Sequence, residues 1–247
     1  LMKRGKKCVI IDADFGLANV EVLMGIIPQF NFSDVVSGSK GISDILTEGP
    51  NGLKFISGGS GFTQLAGMTD EKITYLVESL GELDSITDII LIDTGAGISQ
   101  RVIDFVTVSG EAVIITTPEP TSITDAYAII KSIKEKKGPI PKFNIVVNRV
   151  ESKKEGDEIF QKLERVCERF LEIKLHSLGS LPYDQNLVKA VKAQKPVGIL
   201  YPNSPVVRSI DRVSDLLLNN SNAYASVAIV DSGVKSFMKR LINVFKQ

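Results

Sequence analysis

A chain of 247 residues can bury a full core as one α/β domain, and 43% apolar with 23% charged residues is a globular balance. Lys plus Arg and Asp plus Glu number 29 each, so no overall basic field points to nucleic acid. No apolar stretch approaches the roughly 20 residues of a membrane span, and the single His176 argues against a Ser-His-Asp device or a histidine metal site.

Leu1-Met2-Lys3-Arg4-Gly5 reads as the last turn of a helix. The apolar run Cys8-Val9-Ile10-Ile11 then predicts a strand over 8–12 that ends in Asp12-Ala13-Asp14 and a glycine turn. Two carboxylates one residue apart lie on one face of an extended strand, where they can hold a cation or position water. Capping of the following helix is the plainer alternative. A second strand is expected at 54–58, followed by Gly58-Gly59-Ser60-Gly61. No Lys-Ser or Lys-Thr follows those glycines, so they are expected to form a turn, not a phosphate cradle. Helical periodicity covers 70–83, and the strand at 88–93 ends in Asp93-Thr94-Gly95, a second acidic strand end.

Next come a strand at 112–117 ending in Thr116-Thr117-Pro118-Glu119, a helix at 122–136 and a stop at Gly138-Pro139. The run Ala112-Val113-Ile114-Ile115 predicts burial on both faces. A strand at 144–149 carries Asn148-Arg149 at its end, an amide and a guanidinium suited to a base edge and a base face, or else a plain strand-end turn. A helix at 155–172, a strand at 177–181 ending in Leu181-Pro182-Tyr183-Asp184, and helices at 184–194 and 204–219 complete the pattern. Alternation of strands and helices predicts a mainly parallel sheet flanked by helices, with Asp12, Asp14, Asp93 and Asn148 gathered at one edge. Cys8 falls in a strand and Cys167 in a helical pattern, so both are expected as packed thiols.

Residues 219–232 read as a polar linker, and Asp231 or Ser232 would cap a final helix over 233–247. In that helix Val234, Phe237, Met238, Leu241, Ile242 and Phe245 form one apolar stripe. Lys235, Lys239, Arg240 and Lys246 fall largely off it, and no acidic residue occurs from 234 onward. Such a segment suits an anionic membrane surface, with intramolecular packing as the alternative.

The run Gly5-Lys6-Lys7 into Ile11-Asp12-Ala13-Asp14-Phe15-Gly16-Leu17-Ala18-Asn19, with Asp93-Thr94-Gly95-Ala96-Gly97-Ile98-Ser99, resembles the MinD/ParA-type P-loop ATPases of deviant Walker type. Thr116-Thr117-Pro118-Glu119-Pro120-Thr121-Ser122 leans toward their FlhG group, the regulators of flagellar number and placement. The resemblance implies an ATPase domain over 1–218, lacking the family's first strand and phosphate loop, which it places upstream of Gly5. Hydrolysis of ATP to ADP and phosphate is accordingly expected of the intact protein, and tight ATP binding is not expected of this segment.

By the same resemblance Asp14 would orient the attacking water, and Asp12 and Asp93 would support Mg²⁺ through water. Asn19 and Glu119 would act near the nucleotide and a dimer interface. Asn148, Arg149 and the backbone around Pro182 would meet adenine, and Asp125 would serve partner coupling. The final helix would target the inner face of the cell membrane. A homodimer with ATP, the flagellar GTPase FlhF and flagellar switch or basal-body components are the implied partners, with no specific nucleic acid. The alternatives are a MinD-type septum-site ATPase, a ParA-type partition ATPase, or a degenerate scaffold that does not hydrolyse.

Overall fold

The computed structural model describes residues 1–14, 19–58, 61–64, 69–136, 138–224 and 233–245. Within them the chain forms two compact units. The first comprises residues 1–96, 194–196 and 229–247; the second comprises 97–193 and 197–228.

In the first unit a short 3-10 turn, Met2–Arg4, precedes β1 (Cys8–Ala13). Two short helices follow, α1 (Val20–Met24) and α2 (Phe32–Val36), then β2 (Thr47–Glu48) and β3 (Lys54–Ser57). Asn31 starts α2 with a capping box, its side chain accepting from Ser33 N–H while Asp34 accepts from Asn31 N–H. After α3 (Gly61–Gln64) come α4 (Asp70–Gly81), α5 (Leu83–Ile86) and β4 (Ile89–Thr94). The sheet order is β2-β3-β1-β4. β1 runs parallel to both neighbours, and only the two-residue β2 is antiparallel. Val9, Ile11, Phe55 and Ile56 are buried from the strands, and Leu76, Leu80 and Leu83 from the helices. The spacing of Leu76, Val77 and Leu80 gives α4 the one-sided apolar face that a covering helix needs.

In the second unit α6 (Gln100–Val108) leads to β5 (Glu111–Thr116), α7 (Pro120–Glu135), β6 (Lys142–Val150), α8 (Lys153–Leu171) and β7 (His176–Pro182). These strands form a parallel sheet in the order β5-β6-β7. Then α9 (Gln185–Lys192), α10 (Val197–Leu200) and α11 (Pro205–Tyr224) follow, and α11 packs on β7. The core joins Ile130 and Ile133 of α7, Phe143, Ile145 and Val147 of β6, and Leu163 and Cys167 of α8. Burial pushes the Cys167 thiol up to about 11, as expected of a packed, unreactive cysteine.

The α/β architecture with mainly parallel strands stands, divided into a four-stranded and a three-stranded sheet among the described residues. Three local expectations change. Val113 and Ile115 meet solvent, at 42% and 62% exposure, while Ala112 and Thr116 on the opposite face are buried, so β5 is covered on one face only. The helix expected at 204–219 continues to Tyr224, so the first residues expected in a linker are helical. Helix α6, which the periodicity reading passed over, is capped by Ser99, whose hydroxyl accepts from Val102 N–H at 3.3 Å.

The closing helix, α12 (Val234–Phe245), belongs to the first unit and packs on α4. Asp231, Ser232, the side chain of Phe245 and Lys246 lie outside the described residues. Among those residues no helix is long and apolar enough to cross a membrane.

Candidate functional site

Parallel pairing of β1 with β4 sets Asp12 beside Asp93 in register, so two acidic strand ends emerge together from the first sheet. Asp12 is 2% exposed, and three backbone amides converge on its carboxylate. Oδ1 accepts from Asp14 N–H at 3.0 Å, and Oδ2 accepts from Asn19 N–H at 2.9 Å and Val20 N–H at 3.1 Å. Buried charge is tolerated when it is this fully hydrogen-bonded. Asp12 thereby ties the end of β1 to the start of α1 and fixes the ends of the connection between them. Phe15 to Ala18, within that connection, lie outside the described residues.

Asp14 is half-buried, and its Oδ2 accepts from Asn19 Nδ2 at 3.1 Å. The turn after β4 comes close to the same carboxylate: a Cβ built on Gly95 would stand 3.0 Å from Asp14 Oδ1. A side chain there would crowd the carboxylate, so glycine suits the position. Asp93 keeps contact with solvent, yet its carboxyl is pushed above its ordinary value, first by burial and then by the negative charges of Asp12 and Asp14. Negative charge that disfavours the ionisation of Asp93 in this way fits a cation nearby. Among the described residues no three acidic, histidine or cysteine side chains are placed to enclose a metal by themselves. That donor set suits magnesium, which keeps several waters and takes one or two carboxylates together with substrate phosphates.

The second unit brings together another group of the expected residues, at the carboxyl ends of its three strands. Glu119 stands at the N-terminus of α7, ahead of Pro120, which suits the first helical position. Its carboxyl is held below the ordinary value, first by the Thr117 side chain, then by its own backbone amide, with the charge of Arg149 a smaller contribution. Ser122 braces this turn, its hydroxyl accepting from Thr117 N–H at 3.0 Å and lying 3.1 Å from the Thr116 hydroxyl. Asn148 Oδ1 accepts from Arg149 N–H at 2.9 Å where the pairing of β6 with β7 shifts register between Val147 and Val150, and Arg149 adopts a left-handed φ of 60°. The Arg149 guanidinium then lies over the Tyr183 ring, 5.8 Å from its centroid. Pro182 pairs with Val150 at the end of β7, and Tyr183 N–H donates to Val150 O. Asp125 is exposed on α7.

Two features of this arrangement carry weak sequence signals. Tyr183 is marked only by its place after a strand, and its role as a platform for Arg149 depends on β6 and β7 pairing. The three amides on Asp12 come from positions two, seven and eight residues further along, for which the Asp-x-Asp spacing gives no instruction beyond a general preference of Asp for helix starts.

Of the apolar stripe, Val234, Met238, Leu241 and Ile242 are buried, at 7%, 2%, 0% and 2% exposure, and Phe237 is half-buried. The face is therefore covered by the protein in this structure.

Comparison with known proteins agrees with the geometry. The chain is 36% identical to the antiactivator FleN of Pseudomonas aeruginosa over 81% of its length and 71% of that protein. Identity with the flagellum site-determining protein YlxH of Helicobacter pylori is 34%, over 98% of this chain and 81% of the other. The fold also matches the septum site-determining protein MinD of Pyrococcus horikoshii, solved in complex with Mg-ADP. That likeness has a TM-score of 0.66 and 19% identity, over 90% of this chain and 87% of that one. Residues 1–197 match the family described as the CobQ/CobB/MinD/ParA nucleotide binding domain, and the chain belongs to that family, with FlhG-type flagellar regulators among its relatives.

Proposed function

We propose that this chain is the body of an ATP-dependent, dimerising switch that regulates flagellar number and placement at the membrane. The reading rests on one observation above all. Asp14 and Asp93 lie at adjoining strand ends around a loop tied down by Asp12, in a chain with FleN and YlxH as relatives.

When bound, magnesium would offset phosphate charge and polarise the transferred phosphoryl group. Asp14, steadied by Asn19, accepts a hydrogen bond from the attacking water and aligns it. Asp93, and behind it Asp12, would hold the cation through water. Asn148 and the backbone near Pro182 meet the adenine edge. Arg149, backed by Tyr183, covers the base face, and Glu119 borders the nucleotide and the dimer contact. Asp125, exposed on α7, is a coupling point for partners. ATP favours the dimer, and a dimer presents two weak amphipathic anchors at once, which bind far more tightly than one. Hydrolysis reverses both steps.

The test is made on the full-length protein. Asp14→Ala is expected to retain ATP binding and dimerisation while turnover falls by ~10²–10⁴-fold, the usual loss on removing an orienting or general-base group. Turnover equal to wild type would reassign Asp14 to a structural role. Counting flagella per cell in the source organism carrying the same substitution checks the biological half, and an unchanged number and position would remove it.

A further inference from the structure

We propose that Asn51 is a site of spontaneous backbone modification, in which the Gly52 nitrogen displaces the side-chain amide at a rate set by the turn between β2 and β3. Asn51-Gly52 is the only Asn-Gly pair in the sequence, and both residues are exposed. They lie in the 3-10 turn Pro50–Gly52 that joins the two strands. Glycine has no side chain to shield the attacking nitrogen, and a Cβ built on Gly52 would meet nothing within 4 Å.

The chemistry needs only water and hydroxide. Hydroxide takes the Gly52 amide proton, and the nitrogen bonds to Asn51 Cγ. The Cγ–Nδ2 bond breaks, and the side-chain nitrogen leaves as ammonia with a proton from water, which regenerates hydroxide. Water then opens the cyclic imide at either carbonyl. Cleavage between Gly52 N and Asn51 Cγ leaves aspartate. Cleavage between Gly52 N and the Asn51 backbone carbon leaves isoaspartate, with the chain rerouted through the side chain.

The turn restrains the first step. Asn51 stands at φ 58° and ψ 27°, a left-handed conformation that asparagine tolerates. At that ψ the Gly52 nitrogen lies nearly trans to Cβ, away from the carbon it must reach. Gly49 N–H donates to Leu53 O at 2.6 Å and Leu53 N–H to Pro50 O at 3.3 Å, which closes the turn around this arrangement. Ring closure therefore waits on local opening. The product bears on the aspartate site. A Cβ built on Gly49 would stand 3.0 Å from Met24 Sδ and 3.7 Å from Phe55 Cδ1, so the turn presses on α1 and β3. Helix α1 begins at Val20, whose amide donates to Asp12. Isoaspartate lengthens the turn by a backbone methylene and shifts Gly49 against Met24; aspartate only adds an exposed charge.

The experiment ages the full-length protein in warm, mildly alkaline buffer and maps its peptides by mass. The tryptic fragment 41–54 holds no other asparagine or glutamine, so an amide-to-acid mass gain in it belongs to Asn51. That gain is expected to outpace every other asparagine-bearing fragment and to slow in mildly acidic buffer. The aged fragment is expected to accept methyl groups from S-adenosylmethionine through protein L-isoaspartate methyltransferase. A synthetic peptide of the same residues is expected to react about ten-fold faster, since it has no turn to open. Asn51→Gln, whose longer side chain closes a larger and less favoured ring, is expected to gain nothing. A gain in 41–54 no faster than elsewhere would overturn the site, and equal rates in protein and peptide would overturn control by the turn. Amide exchange over 20–24 is expected to be faster in the isoaspartate fraction than in Asn51→Asp, and equal exchange would overturn the link to α1.

Discussion

At the scale of single residues the two aspartates of the Asp-x-Asp pair divide the labour. Asp12 faces inward and spends its carboxylate on three backbone amides, whereas Asp14 stands half-buried with Asn19 beside it. Removing a buried acceptor leaves its donors without partners, at ~1–3 kcal/mol each. Asp12→Ala is accordingly expected to lower the unfolding free energy by about 3 kcal/mol or more, and Asp14→Ala by less than about 1 kcal/mol. Chemical denaturation of the two variants side by side checks this, and equal losses would contradict the division. Both aspartates were visible in the sequence as a strand end. Which of them takes the amides of Asn19 and Val20 was not, because spacing places two side chains on one face without saying which later amides each will meet.

Among the elements, α8 and β7 approach each other closely at Gly156. A Cβ there would stand 2.6 Å from Ser180 Cβ and 2.8 Å from its hydroxyl. Gly→Ala inside a helix ordinarily stabilises by roughly 0.5–1 kcal/mol. Here the contact decides otherwise: Gly156→Ala is expected to destabilise by ~1–3 kcal/mol, through the displacement that overpacking forces. Thermal unfolding of Gly156→Ala, alone and with Ser180→Gly, checks the mechanism, since the second substitution is expected to recover much of the loss. The α8 period itself was legible over 155–172, close to the observed Lys153–Leu171. Short elements such as α1, α2 and β2 were not, because two to five residues give too few repeats to distinguish a period from chance.

For the whole molecule the single histidine is a convenient reporter of folding. His176 begins β7, and its imidazole is held below the ordinary value of 6.5, first by burial and then by the charges of Lys142 and Lys174. The unfolded chain therefore binds this proton more readily than the folded one. Its contribution to stability is fully present above about 6.5 and is lost as pH falls through the lower folded value. The thermal midpoint is expected to drop between about pH 7 and pH 5.5, and to drop less in His176→Gln. The lone imidazole proton resonance should titrate below 6.5 in the folded protein. Read by itself, the sequence determined the order of the longer strands and of helices α4, α7, α8, α9 and α11, the acidic ends of β1 and β4, and the apolar face of α12. Those properties are written in local runs and periods, where neighbouring residues alone specify the face or the end. Tertiary structure decided what meets each face: that the strands part into two sheets, that Val113 and Ile115 of β5 face solvent, and that α12 packs on α4. An amphipathic period records that a surface must be covered, but its partner depends on contacts between distant segments, and these exist only once the chain has folded.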